Sequence, residues 1–245
     1  QRGWHEARLP AGRFTLVAYL PPHIDKAATL TVYIGGDGLA WLSRSTPSPN
    51  PTPLDPLALK LALAQPGGNA AYLARPCQYV HAGAEGCPQR YWTGERFAPA
   101  VITATDRAVD RLKRRFGARR LILVGYSGGG AVAALVAERR DDVARLITVA
   151  GNLDPRAWTR YHRVTPLYGS LDPADRAGRL AGIAQVHFVG ARDRVIPPAL
   201  AERYPEAIRG VGGRNLHLVP GFTHHCCWAK AWPRLYKAAS ATASR

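Results

Sequence analysis

Residues 120–140, RLILVGYSGGGAVAALVAERR, restrict the fold more than any other stretch of the chain. Residues 121–124 are apolar without alternation, the pattern of a strand covered on both faces. Residues 131–137 are apolar again, alanine-rich, and read as a buried helix. Only Gly125, Tyr126, Ser127 and three further glycines lie between the two runs. A doubly covered strand that passes directly into a buried helix calls for a parallel sheet with helices on both faces.

The rest of the sequence repeats that alternation. Residues 14–22, 29–38, 70–80, 144–151, 184–190 and 214–220 read as strands. Residues 57–64, 97–116, 129–140, 197–208 and 228–240 read as helices, the last broken or kinked near Pro233. In 97–116 the apolar positions Val101, Thr105, Ala108, Val109, Leu112 and Phe116 recur at helical spacing. The Pro-rich segment 45–56, STPSPNPTPLDP, excludes regular structure and reads as a surface loop. Residues 152–183 form a long connection carrying Trp158, Tyr161 and Tyr168, a candidate lid or pocket wall. No domain boundary is visible, so 1–245 reads as a single α/β domain, expected to be monomeric.

Lysine and arginine number 33 against 17 acidic residues, a formal charge of +16. The basic residues are dispersed, and the densest group (Arg111, Lys113, Arg114, Arg115, Arg119, Arg120) closes a helix, where cations complement the dipole. That pattern is a solvated helix end, not a nucleic-acid patch, and leaves weak attraction to an anionic cell envelope as the expected consequence of the charge. No apolar run approaches the ~18 residues of a membrane span. The chain begins at Gln1 and contains no methionine, which suggests a processed N-terminus and a periplasmic or secreted protein. Cys77 and Cys87 bracket CQYVHAGAEGC, with turn-forming Gly83 and Gly86 inside. The spacing suits a disulfide in an oxidising compartment; two buried thiols are the alternative. Cys226 and Cys227 are adjacent and could be paired, free, or joined elsewhere. CxxC pairs are absent, so no metal site is read, and no cofactor is expected.

Two chemistries compete at Ser127. GGGAVA, 128–133, matches the dinucleotide pattern G-x-G-x-x-A, with Asp154 near the end of the next strand. GYSGG, 125–129, matches G-x-S-x-G, in which a strained turn lifts a serine above the sheet. The small Gly125 and Gly129 then allow strand and helix to meet, and the Gly128 N–H faces a developing oxyanion. The later strand ends favour the serine. VHFVGARDRVIPP delivers Asp193, and LHLVPGFTHHCCW delivers His224 or His225. A serine needs a base to become nucleophilic, and the base needs a carboxylate to fix its tautomer. Asp154 is the rival acid. His187 and His217 lie inside strands and read as satisfied core histidines. Trp41 and Trp158 are candidate substrate-stacking residues.

On GYSGG, GARDRVIP and PGFTH the sequence resembles the α/β-hydrolase superfamily, over about residues 14–240. The resemblance implies an α/β-hydrolase fold with a mainly parallel sheet and a Ser127–His224–Asp193 triad. It favours His224 over His225 by its spacing from the strand end. Many members carry His-Gly where the second oxyanion donor arises; here YIGGDGLAW has Gly36-Asp37 instead, so Asp37 or a neighbour would donate. The implied activity is cleavage of a carboxylic ester or thioester on a small acyl substrate. A non-catalytic binding protein on the same fold, associated with the cell envelope, is the alternative.

Overall fold

The computed structural model describes residues 3–25, 27–80 and 87–241. Its strands are β1 (His5–Ala11), β2 (Phe14–Leu20), β3 (Thr29–Ile34), β4 (Asn69–Leu73), β5 (Arg120–Tyr126), β6 (Val143–Val149), β7 (Ala184–Gly190) and β8 (Leu216–Val219). They form one sheet in the order β1-β2-β4-β3-β5-β6-β7-β8. β3 to β8 run parallel, while β1 and β2 form an antiparallel hairpin joined antiparallel to β4. The helices are α1 (Leu57–Leu63), α2 (Pro99–Arg115), α3 (Gly128–Ala137), α4 (Pro155–His162), α5 (Pro198–Ala201), α6 (Glu206–Arg209) and α7 (Trp228–Ala241), with short 3-10 turns between some of them.

Neighbouring β3 and β5 send their connections in opposite directions. From β3 the chain crosses through α1 to β4 on one side. From β4 it returns through α2 to β5 on the other. The crevice beyond the carboxyl ends of β3 and β5 is therefore the topological switch point, where open parallel sheets bind ligands. Gly35–Gly38 and Ser127 lie at these two strand ends.

Burial explains the elements. Every residue of α3 is buried, which requires its uninterrupted small and apolar sequence. α7 covers the other face: Trp232 Nε1 donates to Tyr33 Oη at 2.9 Å, and Tyr236 and Thr31 hydroxyls pair at 2.7 Å. Pro233 lies inside α7 without ending it, because the buried Trp228, Trp232, Leu235 and Tyr236 hold both sides of the proline. The span 197–208 instead divides into α5 and α6, with Pro205 as the residue before α6. The strand read over 70–80 ends at Leu73, and a turn follows. β1 escapes the sequence pattern because it is an edge strand with Pro10 and an exposed face; a two-residue turn with Gly12 at φ 79° joins it to β2. His217 is exposed on edge strand β8, not in the core, whereas His187 is buried with Nδ1 beside Thr148 Oγ1 at 2.9 Å. Burial pushes His187 down to about 4. Cys77 and Cys87 are bonded, as are Cys226 and Cys227. The turn residues Gly83 and Gly86 of the first loop lie outside the described residues. Among the described residues no helix is long and apolar enough to cross a membrane.

An ionic cluster ties α2 to α3 and to the entry of β6. Arg140 reaches Asp106 at 2.5 Å, Asp110 at 2.7 Å and Asp142 at 2.8 Å, and Lys113 reaches Asp142 at 2.5 Å. Burial alone would raise Asp142, but the hydrogen bonds from Arg140 and Lys113 outweigh it and hold the carboxyl at about 2, below its ordinary 3.8. A carboxylate depressed by folding stabilises the fold above its unfolded pKa and stops doing so as the pH falls through the folded one. Asp142→Asn should cost about 1–2 kcal/mol at pH 7, discounted for partial exposure. In urea unfolding the gap to the parent protein should close as the pH falls from about 4 to about 2.

Candidate active site

Ser127 joins β5 to α3 at φ 53° and ψ −125°. A non-glycine residue held there costs about 1–3 kcal/mol and persists only where its surroundings fix it. They do: the Ser127 N–H donates to Val149 O at 3.1 Å, and its carbonyl accepts from Gly130 at 2.9 Å and Asn152 at 3.0 Å. A Cβ at Gly129 would lie 2.5 Å from the carbonyl oxygens of Ile34 and Gly35, and one at Gly125 would overlap the Gly129 carbonyl. At Gly128 a Cβ would run into the Asp37 carboxylate. Of the glycines in the dinucleotide pattern, Gly128 thus faces the Asp37 carboxylate and Gly130 packs on the Gly151 backbone, so neither offers an open face to a pyrophosphate.

The later strand ends bring an acid and a base to the serine. His224 Nε2 lies 3.0 Å from Ser127 Oγ, and its Nδ1 lies 2.9 Å from Asp193 Oδ2. With Nδ1 donating to the carboxylate, Nε2 is left to accept the serine proton. The other carboxylate oxygen, Asp193 Oδ1, accepts from the N–H groups of Val195 at 2.7 Å and Ile196 at 2.8 Å. The residues after the acid therefore orient it. Asp193 and His224 are buried, at 4% and 6% exposure. Trp228 Nε1 donates to the His224 carbonyl at 3.1 Å, as does the Tyr126 hydroxyl at 3.2 Å. His225 turns aside, its Nδ1 3.1 Å from Tyr126 Oη. Asp154, the rival acid, caps α4 by accepting from Ala157 N at 2.7 Å.

A cavity of about 660 Å³ opens beside Ser127. Its lining includes the segment after β3, with Asp37, Leu39 and Trp41, and residues 53–58, which lead into the first turn of α1. Trp41 is 40% exposed at this cavity. The Pro-rich segment is thus not merely a surface loop. Ser48 and Pro51 are buried, Trp92 Nε1 donates to Ser48 O at 3.0 Å, and Leu39 N donates to Pro51 O at 3.1 Å. Residues 152–183 contribute nothing to the cavity lining. Trp158 instead donates through Nε1 to Val195 O at 2.9 Å, and His162 Nε2 reaches the same oxygen at 2.8 Å. These two side chains brace the acid loop, which leaves the indole unavailable for stacking in the cavity.

Sequence reasoning gave no role to three residues near the site. Arg75 and Arg96 both pair with Asp37, at 3.1 and 2.8 Å, and Gln78 Nε2 donates to Gly36 O at 3.0 Å. Burial would raise the Asp37 pKa, but Arg96 and Arg75 outweigh it and hold the carboxyl below its ordinary value. Each of these residues sits on a connection, where periodicity carries no signal.

No protein-family model matches the sequence, and no curated protein does. Solved structures do. Est1E from Butyrivibrio proteoclasticus aligns over 97% of this chain and 99% of its own, with a TM-score of 0.65 and 14% identity. An alpha-beta serine hydrolase homologue from Coxiella burnetii aligns over 98% and 97%, with a TM-score of 0.59 and 15% identity. XC6422 from Xanthomonas campestris, described as an a/b serine hydrolase without lid, aligns over 100% and 98%, with a TM-score of 0.58 and 16% identity. Together with the strand order and the serine turn at the switch point, these likenesses show that the chain has the α/β-hydrolase fold.

Proposed function

We propose that the protein is a serine hydrolase that cleaves a carboxylic ester or thioester through an acyl-enzyme. One observation carries this reading: Ser127, His224 and Asp193 are in hydrogen-bonding sequence, 3.0 and 2.9 Å apart, at the edge of a cavity large enough for an acyl group. Two of the structural neighbours, from Coxiella burnetii and Xanthomonas campestris, are described as serine hydrolases, which agrees with it.

The chemistry follows from the geometry. Ser127 Oγ attacks the substrate carbonyl carbon while His224 Nε2 takes the hydroxyl proton. Asp193 stabilises the imidazolium and keeps Nδ1 protonated. The carbonyl oxygen becomes an oxyanion held by the N–H groups of Gly128 and Asp37. Among the described residues, neither N–H is engaged with another backbone group. The tetrahedral species collapses, His224 gives its proton to the departing alcohol or thiol, and Ser127 carries the acyl group. Water then adds with His224 again as base, and the carboxylic acid leaves. The walls formed by Leu39, Trp41, Leu57 and Ala58 favour an acyl group with an apolar body. The Cys77–Cys87 bond supports an exported protein, and the +16 charge supports weak attraction to an anionic envelope.

A fluorophosphonate probe should label the parent protein and not Ser127→Ala. In a p-nitrophenyl ester series, Ser127→Ala should lower kcat/KM by at least about 10⁴-fold and Asp193→Asn by about 10³- to 10⁴-fold. Absence of both labelling and turnover in the parent would leave a binding protein on the same fold. Trp41→Ala should raise KM several-fold for the longer acyl esters while leaving kcat close to the parent value, since it removes a cavity wall that grips ground and transition states alike.

A further inference from the structure

The turn that follows β4 lies against the segment that follows β3. Gln78 is 1% exposed, and its Nε2 donates to Gly36 O at 3.0 Å. That carbonyl belongs to the same rigid peptide unit as the Asp37 N–H, so gripping one end sets the direction of the other. Gln78 Oε1 in turn accepts from Arg75 N at 3.2 Å. The next peptides are fixed through the Asp37 side chain. Arg75 Nη1 donates to Oδ1 at 3.1 Å, and Arg96 Nη1 donates to Oδ2 at 2.8 Å. Neither guanidinium is loose: Arg75 Nη2 also donates to the Arg96 carbonyl, and Arg96 Nε donates to Thr93 O at 2.7 Å. Both arginines are buried, at 4% and 7% exposure.

The turn bearing Gln78 is itself strained. Cys77 sits at φ 73° and Tyr79 at φ 60°, on either side of the glutamine. Positive φ at two non-glycine residues persists only where the surroundings over-determine it, and such strain gathers at functional sites. Here the Cys77–Cys87 bond and the Tyr79 N–H to Thr52 Oγ1 bond at 2.7 Å do the fixing. Packing alone gives no reason for a fully buried amide in this strained turn. Its hydrogen bond to the Gly36 carbonyl gives one.

We propose that Gln78, Arg75 and Arg96 are positioning residues that aim the Asp37 N–H at the oxyanion formed on Ser127. This rests on the hydrolase reading above. Gln78 sets the plane of the Gly36–Asp37 peptide, and the two arginines anchor the Asp37 carboxylate over Gly128, so the two donor N–H groups move as one unit. Two guanidiniums against one carboxylate also leave a net positive charge beside the place where negative charge develops.

The test compares Gln78→Met and Arg96→Gln with the parent in kcat, KM, melting temperature and inhibition by an alkyl boronic acid, whose serine adduct carries the tetrahedral oxygen. Each variant should lower kcat about 30- to 100-fold, the cost of a displaced oxyanion donor, with KM within twofold. The boronate Ki should rise by a similar factor. Arg96→Lys, which keeps the charge and can still reach Asp37, should recover at least about tenfold of the loss in kcat. An unchanged kcat and boronate Ki in folded variants overturns the proposal, as does a loss confined to KM. If Gln78→Met does not fold, the Arg96 pair decides by the same criteria. A parent protein with neither ester turnover nor Ser127-dependent boronate binding overturns the hydrolase reading itself, and this proposal with it.

Discussion

The close approach of backbone to backbone around Gly125 and Gly129 is the constraint on which the rest of the site depends. Gly129, at the start of α3, touches the carbonyls of Ile34 and Gly35 at the end of β3, and Gly125 on β5 touches the Gly129 carbonyl. Side chains at these points would separate the helix from the sheet. With hydrogen alone there, the ends of β3 and β5 and the first turn of α3 form one block. Ser127 can then be held at positive φ because its neighbours on both sides are already fixed. The wholly buried sequence of α3 serves the same end, since a helix with a solvated face would not lie this deep in the sheet.

The acid and base are anchored differently. β8 is a short edge strand and could not by itself fix the loop that follows it. The His224 backbone is tied instead to the elbow through the Tyr126 hydroxyl and to α7 through the Trp228 indole. The acid loop is held by its own N–H groups folding back on Asp193, and from outside by Trp158 and His162 on α4. Ser127, His224 and Asp193 therefore each have a separate anchor, and none depends on a long free loop. The connection 152–183 gives its aromatic side chains to this bracing, and the cavity wall comes from the Pro-rich segment.

The sheet, the helices and the meeting of Ser127, His224 and Asp193 are legible because each rests on a local pattern. A doubly apolar run marks a central strand, and a chemically distinct residue just past a strand end marks a site. What was not legible depends on pairing across the chain. Ser48 looks like a solvated loop residue until Trp92, 44 positions later, is seen to bond its carbonyl. Arg75 and Arg96 look like two surface cations among many until Asp37 is found between them. β1 was lost because an edge strand needs only every second residue to be apolar, and Pro10 removes the remaining signal. His217 sits in a strand and so resembled a core residue, but strand membership does not say which strand is at the edge.

Asp37 and Gly128 are two halves of one steric and electrostatic arrangement. In the GGDGLAW segment an acidic side chain stands against Gly128, where a free charge would oppose the oxyanion chemistry proposed above. Two buried arginines compensate that charge, and the carboxylate packs where a side chain at position 128 would otherwise lie. The second glycine of GYSGG, Gly128, is therefore required by a residue some 90 positions earlier in the chain, not by the turn at Ser127. The motif after β3 and the motif after β5 fit only each other. Replacing Gly128 alone would push Asp37 from its arginines, and replacing Asp37 alone would leave two buried guanidiniums facing each other without a counter-charge.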